Sequence, residues 1–269
     1  MRHPFDEMRA TEGAVRDQYH AYAQWLQGQP DDVMRARREE AEQWKIQPKR
    51  WPSPRLHRWA MVVAAGNMAL GGLLSGTFAF FVVTTGFSAL YLRVSDYGWA
   101  WTIASTVLMF LAIEAAAYYT HRLLHSRFMF KHVHQWHHRL VAPTPYATVT
   151  MHPVEFTMLQ VATFLPVLVM PVHYAAFIGL LLYALVFNMM DHSGIRIRHL
   201  LPWHSSSSFH DDHHLYFHCN YGQHIAIFDR FHGTHRRHGR RYGKDVFGGR
   251  GAPEGSGSEA EGPGDFVKY

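Results

Sequence analysis

Three long stretches almost free of charge decide what this chain can fold into. Residues 60 to 92 run for 33 positions without Asp, Glu, Lys or Arg, well beyond the ~20 apolar residues that span a bilayer. Residues 97 to 120 carry one ionisable side chain, Glu114, and residues 156 to 190 none but His173. As a single helix the last run would extend ~50 Å at ~1.5 Å per residue, against a hydrocarbon core of ~30 Å. It must bend or cross twice, and Pro166, Pro171 and His173 near its middle mark the turn. The run 60–92 is long for one crossing, and Gly71-Gly72 and Ser75-Gly76 offer places for a kink. Charged residues make up 17% of the chain, against ~25% in soluble domains. The charged N-terminus is followed by no short apolar stretch with a cleavage site, so insertion is expected to use these internal segments.

Basic residues give the topology, because short cytoplasmic segments collect Lys and Arg. Residues 1 to 58 hold 11 of them, 122 to 155 hold 4, the block from Asp191 holds 10, and the turn 93 to 96 only Arg93. The three richer segments belong on one side, which requires an even number of crossings in each apolar block. The expected fold is therefore an all-α membrane protein of about four transmembrane helices in two hairpins, one within 60–120 and one within 156–190. A cytosolic helical cap would follow from the remaining segments. Three crossings before His121 would instead put the histidines on the other face. Residues 1–58 read as a polar helical extension, with Pro30-Asp31-Asp32 capping VMRARREEAEQW. Residues 59–242 form the membrane domain, and 243–269, rich in Gly, Ser and Pro, read as a disordered tail. The excess of +5 charges forms no dense basic run, so no nucleic-acid partner is expected. The single Cys219 excludes a disulfide framework and a cysteine-rich zinc site.

Histidine is the second anomaly: 22 copies, 19 of them between His121 and His238. His121 and His125 stand four apart. His134, His137 and His138 repeat the arrangement at i, i+3 and i+4, and His210, His213 and His214 repeat it again. Each set would lie on one face of a helix, and all three fall in segments that the charge pattern puts on one side of the membrane. Together they supply eight imidazoles, more than one tetrahedral ion requires and suited to two ions. Imidazole serves zinc, copper, nickel and iron alike, so ligand type does not name the metal. His192 is a ninth candidate, and Asn188, one helical turn before it, could bind metal directly or through water. His152 is a ligand candidate or a cap. His132, His218, His224, His232, His235 and His238 are assigned by default to the surface or to supporting roles.

Glu114 shares a helical stripe with His121 and Tyr118. A charge in a span is costly and usually functional; it either orients a ligand histidine, relays protons or sits as a hydrogen-bonded interface residue. Asp191, Asp211 and Asp212 flank ligand candidates and either accept imidazole N–H groups or cap and solvate loops. Asp229 is assigned a structural role. The aromatic and Met residues between 78 and 190 are expected to pack or to face lipid.

The order of these elements resembles the fatty acid hydroxylase and sterol desaturase superfamily of membrane enzymes. HRLLH at 121–125, KHVHQWHH at 131–138, HPVE at 152–155, DHSG at 191–194 and FHDDHH at 209–214 follow that family's sequence of motifs. NYGQ at 220–223, Asp229 and the Gly233-Thr234 pair continue it, so that the likeness covers roughly residues 100–236. HLYFHCNYGQ with the downstream Asp is similar to sterol C5-desaturases. Ser193 after His192 is more similar to 4-methylsterol oxidases and sphingoid-base hydroxylases. The resemblance implies two iron ions held by His121, His125, His134, His137, His138, His192, His210, His213 and His214 at the cytosolic membrane face. It implies O2 as co-substrate and attack on a C–H bond of a membrane lipid, a sterol favoured. Electrons would come from an external donor, cytochrome b5 or a ferredoxin with its NAD(P)H reductase, and the host membrane would be the ER or a bacterial inner membrane. From another class stands a histidine-rich membrane protein that binds or transports metal without oxidase activity; it predicts polar residues lining a path through the spans. A member that only binds sterol is the third possibility.

Overall fold

The computed structural model describes residues 52–197 and 201–236, with residues 20, 21, 24, 28, 30, 32, 33, 46 and 47. Residues 237–269, with the tail 243–269, and most of the polar extension, including its candidate helix beyond Val33, lie outside the described residues. Helix α1, Pro54–Thr85, opens with the Ser53 hydroxyl accepting from the Leu56 N–H and with Pro at its first position, and it closes on Gly86 in the left-handed conformation. It runs through Gly71-Gly72 and Ser75-Gly76 without a break. A turn leads into α2, Gly98–Leu124, which returns toward the starting side. Residues 127–138 form an irregular helical segment, α-helical at Arg127–Met129, π-helical at Phe130–His134 and α-helical again at Gln135–His138. Helix α3, Pro153–Phe164, re-enters the apolar bundle and is followed by a short helical turn, Pro166–Val169. Helix α4, Tyr174–Asp191, comes back out. Helices α5, Ser207–Tyr216, and α6, Ile227–His232, complete the cap.

Among the described residues, α1, α2 and α4 are long and apolar enough to cross a membrane, whereas the apolar segment Pro153–Val169 is shorter. The second hairpin thus has one full arm and one arm broken at Leu165, because the Pro166 ring cannot continue the helical hydrogen-bond ladder. The turn expected near Pro166, Pro171 and His173 falls there. At the far end of the bundle the two hairpin turns meet: β1, Leu90–Tyr91, pairs in parallel with β2, Val172–His173, in the register Leu90↔Val172 and Tyr91↔His173.

Helix α2 occupies the centre. Its buried residues Met109, Ile113, Ala117 and His121 recur every four positions, with Glu114 and Tyr118 on the adjacent stripe. Within the bundle, Met109 and Ile113 pack with Phe164, Val167, Val172 and Phe177. Large apolar side chains on the opposite faces, such as Val62, Leu73, Phe80, Trp99, Ile103, Leu182 and Val186, are exposed. Apolar bands on that scale fit a lipid surround. At the other end, Ala60 packs with Leu140 and Ala147, and the Asn67 amide donates to the carbonyls of Val149 and Met151. The start of α1 is thereby fastened to the cap, on the same side as the histidines.

Candidate metal centre

Every one of the nine candidate histidines is buried, and they converge as two groups. His121, His125, His134, His138 and His213 form one; His137, His192, His210 and His214 form the other. The last turn of α2 presents His121 and His125, the irregular segment presents His134, His137 and His138, α4 ends on His192, and α5 presents the remaining three. The sequence pattern implies a regular helix over KHVHQWHH; the π-helical turn instead rotates His134 into register with the next α-turn, as such insertions often do at functional sites.

For four of the nine, a close hydrogen bond on the other ring nitrogen decides which atom the imidazole offers. Nδ1–H of His121 donates to the Tyr221 carbonyl at 2.8 Å, that of His213 to the Cys219 carbonyl at 2.7 Å, and that of His192 to the Asn188 carbonyl at 2.7 Å. His134 Nδ1–H donates to Glu155 Oε1 at 2.8 Å. Each bond assigns the tautomer and leaves Nε2 as a bare lone pair. These lone pairs face one another. Nε2 of His134 lies 3.0 Å from those of His125 and His138, and Nε2 of His213 lies 3.2 and 3.1 Å from the same two. In the second group, Nε2 of His210 is 2.8 Å from that of His192 and 3.2 Å from that of His214, and His192 is 3.3 Å from His137. Facing lone pairs repel unless a cation lies between them. Spacings near 3 Å are those expected of nitrogens each ~2.1 Å from a shared ion. The donor set therefore fits two metal ions of the imidazole-binding kind.

Burial supports the same state. It holds His134 and His192 down to about 3 and His137 to about 4. It depresses His125, His138, His210, His213 and His214 well below the ordinary value, with the neighbouring imidazoles adding to the effect. Neutral rings are the ligand form.

The loop 218–225 supplies the carbonyls that aim His121 and His213. Asp229 holds it: Oδ1 accepts from the Tyr221 N–H and the Thr234 hydroxyl, and Oδ2 from the Gly222 N–H. A Cβ on Gly222 would stand 2.6 Å from the Ile225 carbonyl oxygen and 2.8 Å from Asp229 Oδ2, so only glycine fits. Asp229 is structural, as expected, and the NYGQ motif acts through its backbone. Asn188 aims His192 with its carbonyl and lines the cavity described below. His152 caps α3 by accepting from the Val154 N–H. Asp212 pairs with Arg236, Asp211 accepts from Gln47, and Asp191 lies 3.7 Å from His204 rather than against a grouped histidine.

Sequence reasoning missed three supports. The sequence assigns no role to Glu155, which is the carboxylate on His134. His224, assigned by default, is buried against Glu114 at 2.6 Å; burial lowers its pKa, the Glu114 carboxylate raises it, and the net direction is upward. His204 was passed over. The isolated His-Pro-Val-Glu and the intramembrane Glu114 were the available signals.

Beneath the histidines, inside the bundle, lies a cavity of about 440 Å³. His121, His134, His137, His192 and His210 form its roof, and apolar residues such as Met68, Phe156, Leu159 and Leu181 its walls. Gly71 in α1 lets the Phe156 ring approach to 2.9 Å of where a Cβ would be.

Residues 106–234 match the fatty acid hydroxylase family model. That stretch, just under half of the chain, is similar to the fatty acid hydroxylase family. Among characterised proteins, the chain is 34% identical over 153 residues to a Delta(7)-sterol 5(6)-desaturase of Gibberella zeae, covering 56% of this chain and 47% of that protein. It is 32% identical over 159 residues to the lathosterol oxidase of Rattus norvegicus, covering 58% and 53% respectively. The chain spans about half the length of the curated relatives it matches. No solved structure matches it.

Proposed function

We propose that this chain is a membrane-bound, non-haem di-iron oxidoreductase that uses O2 to hydroxylate or desaturate a C–H bond of a sterol or related lipid. The observation that carries the reading is the meeting of two groups of buried imidazoles at the roof of an apolar cavity within the bundle. The likeness to sterol desaturases and lathosterol oxidases favours a sterol. Iron at this site would bind and reduce O2 and so supply the oxidising power. The chain's own groups do the rest. Nδ1 partners lock the ligands, the cavity walls hold the lipid with one carbon beneath the histidines, and burial keeps bulk water out. The histidines face the cytosol in this reading, where an electron-donor protein such as cytochrome b5 or a ferredoxin reaches them.

Metal analysis of purified protein, combined with lipid profiling of reconstituted protein given O2 and a reduced donor, tests the proposal. Two irons per chain and a product differing from its precursor by one double bond or one oxygen are expected, and His137→Ala should abolish turnover while the protein still inserts. Occupancy well below one ion per intact chain would refute it. Vectorial metal uptake into proteoliposomes without lipid oxidation would establish the transport reading instead.

A further inference from the structure

A second buried polar cluster lies outside the histidine groups, where α2, α4 and the loop after α5 meet. Glu114 Oε1 accepts from His224 Nδ1, and Oε2 accepts from the backbone N–H groups of His224 and Ile225 at 3.1 and 3.2 Å. With Nδ1 committed to the carboxylate, His224 Nε2 points away toward the Ala184 carbonyl and Asp191. Among the described residues it makes no hydrogen bond of ordinary geometry, and neither does Asp191 Oδ2. The rings of Tyr183 and His204 lie 5.0 and 5.7 Å from that of His224. Burying this many ionisable groups together is expensive. Polar atoms left in such positions are where ordered water is held.

The cluster forms a partition between two spaces. On one side is a cleft of about 920 Å³, lined by Tyr183 and His204 and by the polar side chains of Ser205, Ser206 and Asp212. On the other is the cavity beneath the metal centre, lined by Ala184, Asn188 and Gln223. Tyr183 and Ala184 are consecutive in α4, and Gln223 and His224 are consecutive in the loop. One layer of residues thus separates the cleft from the reacting space.

We propose that Tyr183, His204, His224 and Glu114 form a relay that carries protons from the cleft to the cavity beneath the metal centre. The proposal rests on the O2-dependent reaction above. Hydroxylation consumes one C–H substrate, one O2, two electrons and two protons, and yields the alcohol and one water. Desaturation consumes the same and yields the alkene and two waters. The electrons come from the reduced donor protein and the protons from bulk water. The centre itself is closed, with His213 and His214 fully buried, so those protons need a route through protein. His224 Nε2 accepts a proton on the cleft side by way of Tyr183 and His204, the Nδ1 proton passes to Glu114 Oε1 at 2.6 Å, and the Glu114 carboxyl releases it toward the cavity beside Gln223, which returns the pair to its starting charge.

Tyr183→Phe removes one hydroxyl and leaves the packing in place. It should keep metal content and KM at wild-type values, lower kcat at least fivefold, and enlarge the effect of D2O on kcat. Glu114→Gln should do the same, and added imidazole should restore turnover to His224→Gly. In metal-free, ¹⁵N-labelled protein the His224 ring N–H should exchange with D2O despite its burial, at least tenfold more slowly in Tyr183→Phe. That measurement needs no turnover, so it distinguishes failure of the relay from failure of the enzymatic reading. Unchanged kcat, isotope effect and exchange in Tyr183→Phe would overturn the proposal. So would loss of metal from Glu114→Gln with no imidazole rescue of His224→Gly, which would make the pair a clamp on the loop.

Discussion

His134 and Glu155 meet across 2.8 Å, both almost wholly buried, and tie the irregular 127–138 segment to the first turn of the helix that re-enters the bundle. The carboxylate fixes the His134 tautomer and raises the basicity of its Nε2. Glu155→Ala should therefore weaken metal binding by roughly 10- to 100-fold, the range typical for losing such a support. Chelator competition on purified protein reads this directly, and membrane insertion should be unchanged.

Acid should destabilise the metal-free protein in a defined window. Burial holds the folded-state pKa of His134 and His192 at about 3 and of His137 at about 4, below the ~6.5 of an unfolded chain. Above about 6.5 neither state takes up these protons and pH has no leverage through them. As pH falls from there toward about 3, the unfolded state binds protons that the folded state refuses. Stability then drops by up to ~1.4 kcal/mol per pH unit for each such histidine. Burial raises the Glu155 carboxyl to about 8, which acts in the opposite sense and adds stability as pH falls through that value. Thermal unfolding in detergent should show a Tm that rises slightly between about pH 8 and 6.5 and falls steeply below it; a Tm indifferent to pH between 7 and 5 would contradict this.

Gly222→Ala places a methyl group 2.6 Å from the Ile225 carbonyl oxygen, where backbone must move. A loss of about 1–3 kcal/mol is expected from such overpacking. The shift should also misdirect the Cys219 and Tyr221 carbonyls that aim His213 and His121, so metal stoichiometry should fall along with Tm. Retention of both would show that the loop tolerates the displacement.

At the cavity wall, Gly71→Ala presses on the Phe156 ring at 2.9 Å. Phe156 lines the cavity, so a ring pushed toward it narrows the space in which the proposed substrate would lie. Turnover of bulky lipids should fall severalfold relative to slimmer ones while metal content stays constant. Parallel assays on two substrates of different girth measure it, and equal loss on both would argue against a steric cause.

The parts of this molecule that follow a period were legible in advance. Charge-free runs announced the helices, Pro166 the break in the second hairpin, and repeated i, i+3 and i+4 histidines the two buried groups. What escaped depends on contacts between distant segments. Glu155 meets His134, His224 meets Glu114, and Asn67 fastens α1 to the loop at Val149 only because the bundle brings them together; no local spacing encodes those distances. The π-helical turn at Phe130–His134 was hidden for a related reason: local sequence favours an α-helix, and the convergence of five imidazoles overrides it.

The two-residue parallel ladder at the far side of the bundle has a consequence for biogenesis. Leu90–Tyr91 finds its partner only once Val172–His173 has been synthesised, so the turn of the first hairpin keeps open backbone groups until the second hairpin has formed. The bridge closes only in chains whose two hairpin turns lie at the same end of the bundle.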